Sequence, residues 1–278
     1  MSIYALAVLL LGDYMFRFIK ITFLSLCALM LSAYAAENSQ TAPEQGRKVL
    51  EVGCEGGFAP FTYIDDKGTL VGFDVDIIRI IGKSLGYDVK ITVYPFDGLI
   101  PALITDNIDL IISGFTISEE RAKKVDFSEP YYLCNLTYLI NKENESKYKK
   151  YQDLDGTEVC VQLGTSGAMY VKETLPKAKL RQFNSPAETY LELQNHGCSA
   201  VINDRPVQDF FLTQSQDKSI ISKDVGADHK EYYGIAVNKG NQKLLGEINR
   251  GLKLVLENGE FARVSKEWFG YDISSTLK

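Results

Sequence analysis

From Lys48 onward, short apolar runs of strand length alternate with amphipathic stretches of helical period. That alternation restricts the chain to layered α/β architectures with largely parallel sheets. Lys48 to Cys54, Val89 to Tyr94 and Ile108 to Ser113 read as strands. Between them, Val75, Ile77, Ile78, Ile81 and Leu85 draw one helical stripe, with Gly86 where a helix stops. Leu99 to Ile104 reads as a short helix, and Ser118-Glu119-Glu120 opens another, with a hydroxyl cap followed by acids at the positive end of the dipole.

The second half repeats the theme. Glu158 to Gln162 and Ala200 to Asn203 are expected strands, the first followed by a helix start at Gly164-Thr165-Ser166-Gly167. Ser185, Pro186 and Glu188 combine a cap, a first-turn proline and a capping-box acid, and Gly197 is the expected stop. Tyr233 to Val237 is read as one strand, and Asn241 starts a long helix carrying Leu244, Leu245, Ile248, Leu252, Val255 and Leu256. Leu133 to Asn141 and Lys230 to Val237 are extended, without Pro- or Gly/Ser-rich linkers. They suit crossings between two lobes that open and close. A single continuous sheet fits the same pattern.

The first stretch has another character. Met15-Phe16-Arg17-Phe18-Ile19-Lys20 is a basic start, Ile21 to Leu31 is apolar, and Ala33-Tyr34-Ala35 supplies small residues for cleavage. Residues 1–35 therefore read as a secretory signal, with Met15 the better initiation site. The apolar run is shorter than the roughly 20 residues a membrane span needs. Without Asp13, Arg17 and Lys20 the formal net charge moves from −6 to −7. That balance, with no dense Lys/Arg cluster, argues against a nucleic-acid partner.

Export to an oxidising compartment makes disulfides among Cys54, Cys134, Cys160 and Cys198 plausible. Three complete pairings are open. Cys160 with Cys198 is favoured, because both border strand-like runs in the same half. There is no CxxC, and His196 and His229 lie in polar, turn-like contexts read as solvent-exposed, so no metal site is expected. Neither a P-loop nor a GxGxxG after a strand occurs, and no cofactor is expected.

Two charged residues stand out. Arg121 follows Ser113-Gly114-Phe115-Thr116-Ile117-Ser118-Glu119-Glu120, and Asp204 ends Val201-Ile202-Asn203. A guanidinium fork suits a carboxylate and an isolated acid suits an ammonium, the two charges of a free amino acid. Each also has a plainer reading: Arg121 pairing with Glu120 or Asp126, and Asp204 capping the helix that Arg205-Pro206 begins.

Longer motifs occur in order. They are Phe58-Ala59-Pro60-Phe61, Leu70-Val71-Gly72-Phe73-Asp74-Val75-Asp76, Asp97-Gly98-Leu99-Ile100-Pro101-Ala102-Leu103 and Thr116-Ile117-Ser118-Glu119-Glu120-Arg121. Val125-Asp126-Phe127-Ser128-Glu129-Pro130-Tyr131-Tyr132, Val161-Gln162-Leu163-Gly164-Thr165-Ser166, Tyr233-Gly234-Ile235-Ala236-Val237 and Glu267-Trp268-Phe269-Gly270 follow. The chain thereby resembles the family 3 extracellular solute-binding proteins, the periplasmic amino-acid receptors of ABC importers.

The resemblance implies a type II periplasmic binding protein fold: two α/β lobes, two hinge strands and a ligand cleft between the lobes. Lobe 1 would comprise residues 48–132 plus 232–278, and lobe 2 residues 133–231. It implies a monomer in the periplasm that takes up a free L-amino acid and delivers it to an ABC permease and its ATPase. By resemblance, Arg121 and Thr116 receive the ligand carboxylate, helped by the backbone of Ser166, and Asp204 receives the ammonium. Ser113 and Gly114 meet the ligand through carbonyl or hydroxyl groups, Phe58 and Phe96 flank its side chain, and Glu55 and Gln162 address its far end.

An acid with two aromatics favours arginine or lysine, with glutamine or cystine possible. The rival implied by resemblance is a periplasmic cyclohexadienyl or arogenate dehydratase on the same fold, with Glu55 as general acid. Retention of Asp204 argues for amino-acid capture.

Overall fold

The computed structural model describes residues 48–226 and 229–277, so the leader expected over residues 1–35 lies outside the described residues. Two five-stranded sheets organise the rest. In the first, the strand order is Tyr87–Val93, Lys48–Cys54, Leu110–Ile111, Ala236–Asn238 and Val125–Phe127. Lys48–Cys54 is parallel to both its neighbours, whereas Ala236–Asn238 runs antiparallel to both of its own. In the second, the order is Lys179–Phe183, Glu158–Gln162, Ala200–Asp204, Leu136–Asn141 and Ile220–Asp224, with the first three parallel and Leu136–Asn141 antiparallel to its neighbours.

Each sheet buries its own core. On the first, the stripe of helix Phe73–Leu85 places Ile77, Ile78 and Ile81 against Ile248, Leu252 and Val255 of helix Gln242–Glu257. Each such fully buried aliphatic side chain contributes about 1.5–3 kcal/mol. Gly86 ends the first of these helices in a left-handed conformation, φ 79°, as the sequence suggests. On the second sheet, Leu136, Tyr138, Val159 and Ile202 pack with Ala168 and Val171 of helix Ser166–Thr174. Cys160 and Cys198, the favoured pair, are joined as a disulfide across this sheet's other face.

The chain passes between the sheets on two short strands, Tyr132–Cys134 and Glu231–Tyr233, which pair antiparallel as a separate ribbon. The single strand read over Tyr233 to Val237 is thus broken. Gly234 and Ile235 turn out of the ribbon before Ala236 joins the first sheet, because Ser128 claims the Ile235 N–H through its hydroxyl. The helix Pro186–Gln194 also ends before Gly197, and it is His196, not that glycine, that takes the positive φ of 57°.

One consequence governs function. Glu55 follows the carboxyl end of Lys48–Cys54, and Ser113 to Thr116 follow that of Leu110–Ile111. Gln162 and Asp204 are the last residues of their own strands. In open parallel sheets this is the edge at which ligands bind.

Candidate functional site

Arg121 lies on a single helical turn, Glu119–Ala122, whose N-terminal Ser118 accepts a hydrogen bond from the Arg121 backbone N–H. Its side chain is 5% exposed and turns inward, away from both Glu120 and Asp126 as bonding partners. Nη1 donates to the Thr116 carbonyl at 2.8 Å, and Nη2 donates to the Gly164 carbonyl of the other lobe at 3.0 Å. The guanidinium sits 4.2 Å from the Phe115 ring centroid and 5.3 Å from that of Phe96. Two carbonyls and two rings fix its plane while leaving further N–H donors of the fork free to act. Burial pulls its pKa down to about 10, a shift opposed by the charges of Glu231 and Asp204, so it stays cationic at neutral pH.

Asp204 ends its strand and stands at the N-terminal cap position of helix Arg205–Ser215, yet its side chain caps nothing there. It accepts instead from the Tyr233 hydroxyl. The carboxyl is 4% exposed, and burial raises its pKa. Repulsion by Glu231 adds to the rise, while the Tyr233 hydrogen bond and the Arg121 charge counter it. A cation and an acid from different lobes are therefore buried within electrostatic reach of each other.

Glu55 and Gln162 meet across the same cleft. Gln162 Nε2 donates to Glu55 Oε1 at 2.7 Å and to the Asn184 carbonyl at 3.0 Å. Glu55 Oε2 and Gln162 Oε1 are both buried with no hydrogen-bond partner among the described residues. Burial pushes the Glu55 pKa up to about 7, against the lowering by Gln162. Ser113 serves Glu55 directly, its hydroxyl accepting from the Glu55 backbone N–H at 2.9 Å.

The remaining candidates, Phe58, Phe96 and Gly114, are held by packing against neighbouring rings. Phe58 packs on Phe61, ring centroids 6.0 Å apart, and over Gly114, while Phe96 packs on Phe115 at 5.7 Å. Gly114 has φ 52°, and a Cβ there would lie 2.5 Å from a Phe58 ring carbon, so both the backbone and the ring require glycine. The Gly114 N–H donates to Asp74, which also accepts from the Tyr131 hydroxyl. Asp74 is fully buried, and its pKa rises to about 7 on that account, against those two bonds.

Sequence reading missed Glu231. Its Oε2 accepts from the Ser166 hydroxyl at 2.7 Å and the Thr116 hydroxyl at 3.1 Å, and its Oε1 meets His229 Nε2 at 3.0 Å. His229 is thus not the solvent-exposed residue expected: its ring rests on Tyr170, centroids 4.4 Å apart. The signal was strand period, since Glu231 and Tyr233 alternate with the exposed Tyr232 and so share the buried face.

Comparison with known proteins decides the family. Residues 50–271 match the bacterial extracellular solute-binding proteins, family 3. The chain belongs to that family. It is 31% identical over 82% of its length to the L-cystine-binding protein TcyJ of Escherichia coli strain K12, of which 85% is covered. It is likewise 31% identical over 84% of its length to the arginine-binding extracellular protein ArtP of Bacillus subtilis strain 168, 91% covered. Among solved structures, an ancestral arginine-binding protein bound to arginine superposes with a TM-score of 0.76, at 38% identity, over 81% of this chain and 99% of that one.

The type II fold of two α/β lobes is shared with these structures. The family is one of solute-binding proteins and not of enzymes, so the raised carboxyl of Glu55 is not read as a dehydratase's general acid.

Proposed function

We propose that this protein captures a polar or cationic L-amino acid between its lobes in the periplasm and presents it to the permease of an ABC importer. The observation that carries the reading is the burial of Arg121 and Asp204, from separate lobes, within reach of each other's charge. Arg121, Thr116 and the Ser166 backbone N–H at a helix start receive the α-carboxylate, and Asp204 receives the α-ammonium. Backbone carbonyls at Ser113 and Gly114 complete the ammonium's shell. Phe58 and Phe96 flank the side chain. Because neither lobe alone pairs both charges, ligand stabilises the closed form by its differential affinity.

The far end sets selectivity. Glu55 Oε2 and Gln162 Oε1 are acceptors in need of donors. A guanidinium or ammonium supplies them, so arginine or lysine is the favoured ligand; a primary amide, as in glutamine, satisfies them in part. The relatives named for arginine and for cystine are consistent with a charged, polar amino acid. Thermal melts against the standard amino acids plus cystine and ornithine test the reading, because ligand bound to the folded form alone raises the melting temperature. Arginine or lysine should give the largest rise. No rise with any amino acid contradicts the proposal.

A further inference from the structure

We infer that Glu231 is a built-in clasp, a resident carboxylate that ties the Thr116 and Ser166 hydroxyls together across the cleft and that an incoming ligand carboxylate must displace. Thr116 follows a strand of the first sheet, Ser166 opens a helix on the second, and Glu231 stands on the ribbon between them. One oxygen, Oε2, accepts from both hydroxyls, which lie 3.3 Å from each other. The other oxygen is held by His229, itself braced on Tyr170 of the second lobe's helix. Each bond to an ionised acceptor is of the stronger, charge-assisted kind.

The clasp lies where the ligand carboxylate is proposed to bind. Glu231 is the leading charge acting in favour of ionised Arg121 and the leading charge acting against ionised Asp204. A second carboxylate drawn to Arg121 and Thr116 therefore meets Glu231 at close range, in a site where water screens little. Two like charges so placed repel each other, and the ligand gains its donors only as Glu231 gives them up. Glu231 is 9% exposed, on the buried face of its strand, so displacing it means turning its side chain out of the cleft. On exchange, the hydroxyl donors pass from one carboxylate to another, and the lobes keep a bridging anion throughout.

The clasp makes a closed form accessible to the protein by itself. A closed population that excludes ligand lowers the apparent affinity by the fraction it removes from the binding-competent pool. Glu231 thus sets a threshold on ligand capture in addition to holding the lobes.

The inference rests on the proposed role of Arg121, and two measurements on the full chain separate its failure from that reading's. The first needs no ligand: X-ray scattering of the free protein should show a larger radius of gyration for Glu231→Ala than for wild type. An unchanged radius overturns the clasp, whether or not any amino acid binds. The second is calorimetric titration with arginine. Glu231→Ala should bind roughly tenfold more tightly, the order expected on removing one charge-assisted competitor. Equal or weaker binding overturns displacement, and weaker binding assigns Glu231 to the ligand itself. Glu231→Gln, which keeps the shape and one acceptor but loses the charge, should move both readouts in the same direction by less. It serves if the alanine variant does not fold. If wild type binds no amino acid, the functional reading fails while the scattering comparison still decides the clasp.

Discussion

The Tyr233 hydroxyl, carried on the ribbon between the lobes, donates its hydrogen bond to Asp204 at the end of a strand in the second lobe. A hinge residue thereby favours the charged form of a buried acid, the form that binds an ammonium, against the burial and the Glu231 charge that raise its pKa. Tyr233→Phe removes the donor and leaves Asp204 with a higher proton affinity. Affinity for arginine at neutral pH should fall by about 1–3 kcal/mol, the usual cost of a lost hydrogen bond to a buried charge. Calorimetry at pH 7 checks it; an unchanged affinity would mean that Tyr233 does not act through Asp204.

Glu55 should make stability depend on pH in an unusual direction. Its pKa rises from 4.5 to about 7 on burial. The folded state therefore holds a proton that the unfolded state releases. That contribution is fully present below about pH 4.5 and is lost as pH rises through about 7. Glu55→Gln removes the buried charge, so it should raise the melting temperature at pH 8 and leave it nearly unchanged at pH 4.5. A cationic ligand would draw the carboxyl back to its charged form and expel the proton. Arginine binding near pH 6.5 should then release more protons from wild type than from Glu55→Gln, read from titrations in two buffers of different ionisation enthalpy.

Gly114→Ala joins two penalties, a left-handed φ and a Cβ driven into the Phe58 ring. Destabilisation of about 1–3 kcal/mol is expected, together with weaker ligand binding as the ring shifts. Denaturant unfolding and calorimetry on one preparation measure both.

Cysteine chemistry should divide cleanly. Reducing the Cys160–Cys198 bond, which closes a loop across 38 positions, should cost about 2–4 kcal/mol of stability. Cys54 and Cys134 are buried thiols, the first pushed up to about 12 and the second well above its ordinary value, mainly by burial. Neither should react with iodoacetamide in the native protein at pH 8, whereas both should react in urea. Mass spectrometry of the alkylated chain distinguishes these outcomes.

Much of this was legible in the chain. Helical stripes such as Ile77, Ile78 and Ile81 declare their buried face by period, and the Ser185-Pro186-Glu188 start declares itself by chemistry, with both capping-box bonds formed. Arg121 and Asp204 were legible as the two charges that a free amino acid needs, but local sequence also allowed Arg121 to pair with Glu120 or Asp126 and Asp204 to cap a helix. Tertiary burial decided against both. Glu231 was hidden because its bonds reach across 115 and 65 positions, to Thr116 and Ser166, distances at which no local pattern points. The break at Gly234 was hidden for a related reason: Ser128, 107 positions away from Ile235, takes the N–H that a continuous strand would have used.

The most direct measurement is a calorimetric titration of Arg121→Ala with arginine, beside the wild-type protein and with folding verified by circular dichroism. Loss of the guanidinium leaves a ligand carboxylate buried without its charged partner. Binding should weaken by about 2–5 kcal/mol or disappear. An affinity equal to that of the wild type would contradict the account.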